Sequence, residues 1–516
     1  MAIDEISLHS RTKEVLMRNG INPRTSQECA LNELREWSPS TVEKILAKVQ
    51  RPCIGHCPLR DTNSDTDETF IKQRFGNWLP PAWARPPLDI VRRAVAEKKA
   101  LCVNRRFQWK LCSSDYFAVS HVWGEGIRAD HKGRGLTRQH LTRIFDALAI
   151  TGAEWIWLDV LAVPNADPEG KNLSQEEKDL QVDVINTLPQ VYEGATAVIV
   201  FDALVLQMHN ASSLDVAVGL VCGAWISRVW TYQEIRLAKK AIVVTADQMY
   251  TWDDIVRDLR KLVDSDESRQ GGPPSLSKFY SVYLSMAILQ YVGKIGLSLT
   301  DVSFASATRQ STYEIDYARS LFALVNLPWN PKWTTSALGM QAIYQSRRQD
   351  ASRLVAMYGA KRLKVSPRWA PSRLAGLEGM VHGDMIWEAE GLRGLWHKER
   401  IIKCTDIGVG RAPRAKRLSL GGQSSGLWCE VLIGADEEPE TIDAFNRAIA
   451  DGRAFLICRH QIADGVGFER GTASQALVVE TIGKKMDDEV DVLFATALRG
   501  VNGASTSERG SMLLRH

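Results

Sequence analysis

Residues 116–124 read YFAVSHVWG, an apolar, β-branched run with no polar alternation that ends in glycine. A strand of this kind is buried on both faces, and it calls for helices above and below the sheet. The sequence around it supplies them. Downstream, LTRQHLTRIFDALAITG sets Leu141, Ile144, Phe145 and Leu148 at helical spacing, with Gly152 as the stop. AEWIWLDVLAV reads as a second strand. SQEEKDLQVDVINTLPQVYEGA opens with a Ser174–Glu177 capping box and carries Leu180, Val184, Leu188, Val191 and Tyr192 along one face. ATAVIVFDAL is a third strand, the helix around Trp230 follows, and KAIVVTAD is a fourth. Apolar strands alternating with helices predict an α/β domain on a parallel sheet, with helices on both faces.

The rest of the chain is organised around that core. Residues 1–50 read as a helical module and 51–114 as a Pro- and Trp-rich connector with one helix near LDIVRRAVAEKKAL. The α/β domain spans 115–330. Residues 331–516 hold short strand-like runs such as GLWCEVLIGA, RAFLICRHQ and ASQALVVETIG, and predict a mostly β or α+β domain.

Bulk composition narrows the function classes. The chain has 516 residues, 45% of them hydrophobic and 24% charged, as in soluble globular proteins. A net charge of +3 demands neither nucleic acid nor an anionic membrane. The basic run RAPRAKR, Arg411 to Arg417, reads as a solvated loop. No stretch is apolar enough for a span, and the N-terminus lacks a signal core, so a cytoplasmic location is expected. Nine scattered cysteines fit a reducing compartment. Cys53, His56 and Cys57 form a local cluster, but no second pair at usable spacing completes a zinc site, and no metal is expected. No Walker, Rossmann or nucleophile-elbow spacing occurs, and no resident cofactor is expected.

In a parallel sheet, ligands bind beyond the carboxyl ends of the strands. Three strand exits stand out: Ser120, His121, Trp123 and Gly124 in the first, Asp159 in the second, and the loop after VIVFDA that leads to the Trp230 helix. Glu234 lies one turn after Trp230, a carboxylate on the apolar side of its helix. Ser120 and His121 are neighbours on a strand and face opposite ways, which argues against a Ser–His dyad. A crevice with Ser, Asp, Glu, exposed glycine backbone and an indole suits a nucleotide or ribose. The competing reading of Glu234 is structural, as a partner of Arg228 or Arg236 or a cap near its helix start.

The segments FAVSHVWG, WIWLDVLAVPN, SQEEKDLQVDVINTLPQVYEGA and AWISRVWTYQEIRLAKKAIVV resemble the HET domain of fungal heterokaryon-incompatibility proteins, as do RQSTYEIDYARSLFALVNLPW and SPRWAPSRL after it. The resemblance covers about residues 115–375. Two stretches depart from the family pattern: His121 stands where Tyr is common, and Ala162, Val163 and Pro164 replace a Cys-Ile-Asn core. HET domains are similar to TIR domains, flavodoxin-like sheets of cell-death and innate-immune signalling, some of which cleave NAD. The resemblance implies a catalytic role for Glu234, substrate contacts from Ser120, Trp123, Gly124, Asp159 and Trp230, and support from Arg228 and Gln233. Two functions follow: an NAD glycohydrolase death effector, or a non-enzymatic module that self-associates or binds proteins of an incompatibility pathway and uses Glu234 structurally.

Overall fold

The structure is a computed structural model of the full chain. It describes residues 12–18, 34, 37–49, 83–123, 127, 135–164, 173–270, 277–289, 297–306, 309–355, 361–374, 385–409, 415–423, 428–434, 439–458, 474–481, 489–502 and 509–515. The chain divides into two compact units: Met1–Ile295 with Thr308–Thr312 and Pro328–Pro331, and the remainder.

The first unit is built on a seven-stranded sheet. Its strands are β1 (Ala100–Asn104), β2 (Trp109–Cys112), β3 (Phe117–His121), β4 (Trp155–Trp157), β5 (Ala197–Phe201), β6 (Ala241–Val244) and β7 (Met249–Thr251). They lie in the order β2-β1-β4-β3-β5-β6-β7. The four central strands β4, β3, β5 and β6 are parallel. They are the four read from the sequence. An antiparallel pair, β1 with β2, adds to one edge through β4, and β7 adds antiparallel to the other. The sheet is therefore mixed rather than purely parallel. The reason is local: hairpins need only short turns, and the 51–114 segment read as connector supplies both β1 and β2.

Helices α1 (Pro39–Leu46), α2 (Leu88–Ala96), α3 (Arg138–Ala147), α4 (Gln175–Gly194), α5 (Ser213–Cys222), α6 (Val229–Arg236), α7 (Trp252–Gln270) and α8 (Tyr280–Ala287) complete the unit. Thr137 caps α3 by accepting from the His140 amide, and Leu141, Ile144 and Phe145 bury against Val119, Ile156, Ile199 and Phe201. Gly152 follows a short 3-10 turn at φ +69°, a conformation that favours glycine. The Ser174–Glu177 capping box opens α4, and all five residues of its expected apolar face are buried. Strand β4 is shorter than the sequence suggested. Asp159–Ala162 coils into one helical turn, and Asp159 Oδ1 accepts from the Val160 amide at 2.6 Å. A carboxylate that bonds nearby backbone competes with continued pairing.

The segment before the sheet belongs to this unit as well. Ser38 caps α1, and Trp37 is buried edge-on to Phe279 with its indole N–H on the Lys278 carbonyl at 2.7 Å. Lys48 pairs with Asp215, the residue that closes the capping box of α5.

The second unit carries helices Leu299–Ser306, Glu314–Phe322, Ser336–Ser346 and Arg348–Arg353 and an eight-stranded sheet. Its pairings are antiparallel except where Glu489–Asn502 meets Arg509–Arg515. Strand Gly391–Val409 pairs with Ala415–Gly422 and also with Ala454–Cys458 at the far end of the strand order, so the ladder closes on itself. Helix Pro439–Ala450 packs Phe445 and Ala448 on Ile401, Leu418, Leu420 and Phe494. The sequence reading had a mostly β or α+β domain over 331–516; the second unit also takes in Gly296–Ala307 and Tyr313–Leu327.

Candidate active site

The central strands run, in chain order, second, first, third, fourth, so the order reverses beside β3. At such a reversal the loops leaving neighbouring strands part, and a crevice opens beyond their carboxyl ends. Seven side chains converge there. Ser120, on the last turn of β3, donates its hydroxyl to Glu234 Oε2 on α6. The same Ser120 oxygen accepts the indole N–H of Trp225 at 2.7 Å. Tyr192, near the end of α4, is a second hydroxyl partner of Glu234. Beside them, His121 Nε2 lies 2.7 Å from Asp159 Oδ1, and Trp123 donates its indole N–H to Asp159 Oδ2 at 2.6 Å. Ser120 and His121 thus serve different carboxylates, as their alternation on the strand requires.

Burial separates an inner from an outer part. Ser120 is 0% exposed and Glu234 6%, whereas Trp123 is 40% exposed. Burial first, and then the nearby Asp159 charge, raise the Glu234 carboxyl to about 7 against the lowering pull of Ser120, His121 and Tyr192. Desolvation depresses His121, but the Asp159 charge and hydrogen bond, with Glu234 beyond, outweigh it and leave the imidazole raised. The Asp159 charge thus disfavours ionisation of Glu234.

The support behind this cluster starts at Asp202, on the exit of β5. Its Oδ1 accepts from the Leu204 and Val205 amides at 2.9 and 3.2 Å, and its Oδ2 from the Trp225 amide at 3.2 Å. Burial raises Asp202 to about 6, with those three amides working against it. Asp202 fixes Trp225, Trp225 fixes Ser120, and Ser120 faces Glu234. Gly223 leaves room for this: a Cβ there would sit 2.0 Å from Asp202 Oδ2. On the other side, the backbone of 309–312 clamps the start of α6. The Val229 amide donates to the Gln310 carbonyl at 3.1 Å. Arg309 donates to the Arg228 carbonyl at 2.7 Å and to the Thr231 hydroxyl at 2.9 Å.

Ser120, Asp159 and Glu234 are brought together as the sequence suggested, with Trp123 on the rim. Trp230 is half-buried one turn before Glu234 and has no recorded bond to the cluster. Arg228 reaches Thr312 instead. Gln233 is buried beside Glu234 in sequence, with no hydrogen-bond partner for its amide nitrogen among the described residues. Gly124, Cys53, His56 and Cys57 lie outside the described residues. Among the described residues no group of acidic, His or Cys side chains could hold a metal ion. No described helix is long and apolar enough to cross a membrane. No family model, curated protein or solved structure matches the chain.

Sequence reasoning named neither Asp202 nor Trp225 as a site residue and placed Tyr192 only on the apolar face of its helix. Each left a signal: an acid directly after a buried apolar strand, and aromatic residues with polar tips on buried faces, which need a partner.

Proposed function

We propose that this chain is a HET-type, TIR-like effector of incompatibility or cell death whose first unit binds NAD at the β3/β5 strand exits and hydrolyses the nicotinamide–ribose bond. The observation that carries the reading is the buried Glu234 carboxyl, held by Ser120 at the end of β3 and raised by the charge of Asp159, which follows the neighbouring β4, where the strand order reverses. Cleavage passes through an oxocarbenium-like state, and a carboxylate near the ribose stabilises that charge. Glu234, titrating at about 7, carries negative charge in a substantial fraction of molecules at neutral pH and takes the ribose-facing role. Ser120 and Tyr192 hold its oxygens and restrict its rotamer. Asp159 anchors Trp123 by its indole N–H, which leaves the exposed ring face to stack on nicotinamide or adenine. Water adds to the ribose carbon, nicotinamide departs with the bonding electron pair, and the water's proton is released.

A second reading has its own observation. Glu234 is 6% exposed and its recorded partners are hydroxyls within the fold, as in a structural buried network. Under it, the unit signals by self-association without catalysis.

Nicotinamide release from NAD separates the two. The full chain is assayed dilute and under crowding, beside Glu234→Gln, Ser120→Ala and Asp159→Asn. Hydrolysis predicts release that falls at least 100-fold in Glu234→Gln with circular dichroism unchanged. No release under any condition gives the second reading, and equal release from both proteins removes Glu234 from the site.

A further inference from the structure

Two cysteines on the β1–β2 hairpin take no part in the site described above. The register pairs Ala100 with Cys112 and Cys102 with Lys110, which puts both thiols on one face of the hairpin in diagonal positions. Both are buried, and neither is in a disulfide. Their side chains hydrogen-bond each other, and Cys102 also faces the Ala100 carbonyl at 3.7 Å. Strand β2 is an edge strand with a neighbour on one side only. A shift of β2 toward disulfide geometry therefore disturbs pairing on one side only.

The two sulfurs are not equivalent. Burial and the neighbouring Cys112 push the Cys102 thiol well up. Cys112 is lowered by its hydrogen bond with Cys102, despite desolvation, and the Lys110 ammonium adds to the effect. Cys112, on the edge strand two residues from Lys110, is placed to attack, and Cys102, on the inner strand, to resolve. The surroundings also connect this pair to the crevice. Cys102 is the register partner of Trp157 on β4, and Trp157 packs edge-on against Tyr192 at 5.4 Å. Tyr192 is the hydroxyl partner of Glu234.

We propose that Cys102 and Cys112 form a peroxide-responsive dithiol, a reversible modification site in the wall behind the candidate active site. The Cys112 thiolate attacks one oxygen of hydrogen peroxide, forming a sulfenic acid and releasing hydroxide, which takes up a proton as water. The Cys102 sulfur then displaces the sulfenic oxygen as a second water. In sum, two thiols and one peroxide give one disulfide and two waters. The thiols are oxidised and the peroxide is reduced.

The test is mass mapping of the reduced full chain after brief exposure to hydrogen peroxide and alkylation of the remaining thiols. Trypsin cuts after Arg105, Arg106 and Lys110, so the two cysteines separate unless they are bonded. The expected result is a linked Cys102–Cys112 peptide, lighter by two hydrogen atoms, that dithiothreitol splits. It should form at least 10-fold faster in the folded chain than in urea, where the pair has no fixed proximity. In Cys102→Ala, Cys112 should accumulate sulfenic acid that dimedone traps. In Cys112→Ala, Cys102 should stay reduced. Recovery of both residues fully alkylated from the folded wild-type chain would overturn the proposal, as would linkage no faster than in urea. The wild-type comparison stands even if a variant fails to fold. None of these readouts involves NAD, so the assignment holds or falls apart from the proposed hydrolysis.

Discussion

Glu234 sets a pH dependence that can be worked out from its surroundings. Its folded pKa of about 7 lies above the ordinary carboxyl value of 4.5, so the native state binds more protons than the unfolded chain between those limits. Stability therefore falls as pH rises through that window. The raised His121 adds a further loss above its ordinary value of 6.5, again because the folded form holds the proton longer. Glu234→Gln keeps the shape and removes the charge. It should unfold at a higher urea midpoint than wild type at pH 8, by up to about 3 kcal/mol, and show little difference near pH 4.5. An equal difference between variant and wild type at the two pH values would contradict the raised, buried character of this carboxylate. Gly223 gives a steric prediction at the same scale. Gly223→Ala forces a methyl into Asp202, breaks the contact that orients Trp225, and should cost about 2–4 kcal/mol in the same assay.

Helix α6 has no side-chain cap at its start. The loop 309–312 supplies one instead, through the Gln310 carbonyl and the Arg309 guanidinium, which also lies 5.2 Å from the centre of the Tyr232 ring. Arg309→Ala leaves the Arg228 carbonyl and Thr231 hydroxyl without that donor and removes a buried cation. It should destabilise the first unit by about 2–4 kcal/mol, whereas Thr312→Ala, which touches only the outer Arg228 bond, should cost less than about 1 kcal/mol. Segment 37–49 makes a second element-scale prediction. Its anchors are Trp37 and the Lys48–Asp215 pair. Trp37→Ala removes a fully buried indole, and limited proteolysis should then cut near residue 49 well before wild type is cut there.

At the scale of the molecule, each unit has its own core. One is centred on Val119, Ile156, Ile199 and Phe201, the other on Leu418, Leu456, Val478 and Phe494. A chain with separate cores does not melt as one cooperative block. Calorimetry should resolve more than one heat-absorption peak. Gly223→Ala should lower only the peak of the first unit by several degrees and leave the other in place. A single peak that shifts as a whole would mean that the two units unfold as one.

The four parallel strands, their helices and the capping box at Ser174 were legible in the sequence because each rests on local chemistry: unbroken apolar runs, 3.6-residue spacing, and a hydroxyl three residues before a carboxylate. The strand-like runs of the second unit were legible for the same reason. Ser120, Asp159 and Glu234 could be named because each sits at the end of an element that the sequence marks. The hairpin β1–β2 was hidden at the end of a Pro- and Trp-rich stretch, and its outer strand β2 is only partly buried, so it shows little of a buried strand's pattern. The closed ladder of the second unit was equally hidden, because pairing between Gly391–Val409 and Ala454–Cys458 depends on contacts far apart in the chain. Tertiary structure alone decided what Glu234 faces. Arg228 and Arg236 are its sequence neighbours, yet its hydroxyl partners come from β3 and α4, 114 residues upstream in the case of Ser120. Element propensity is written residue by residue, but the dielectric and the partners of a buried carboxylate come from chain segments that only folding brings together.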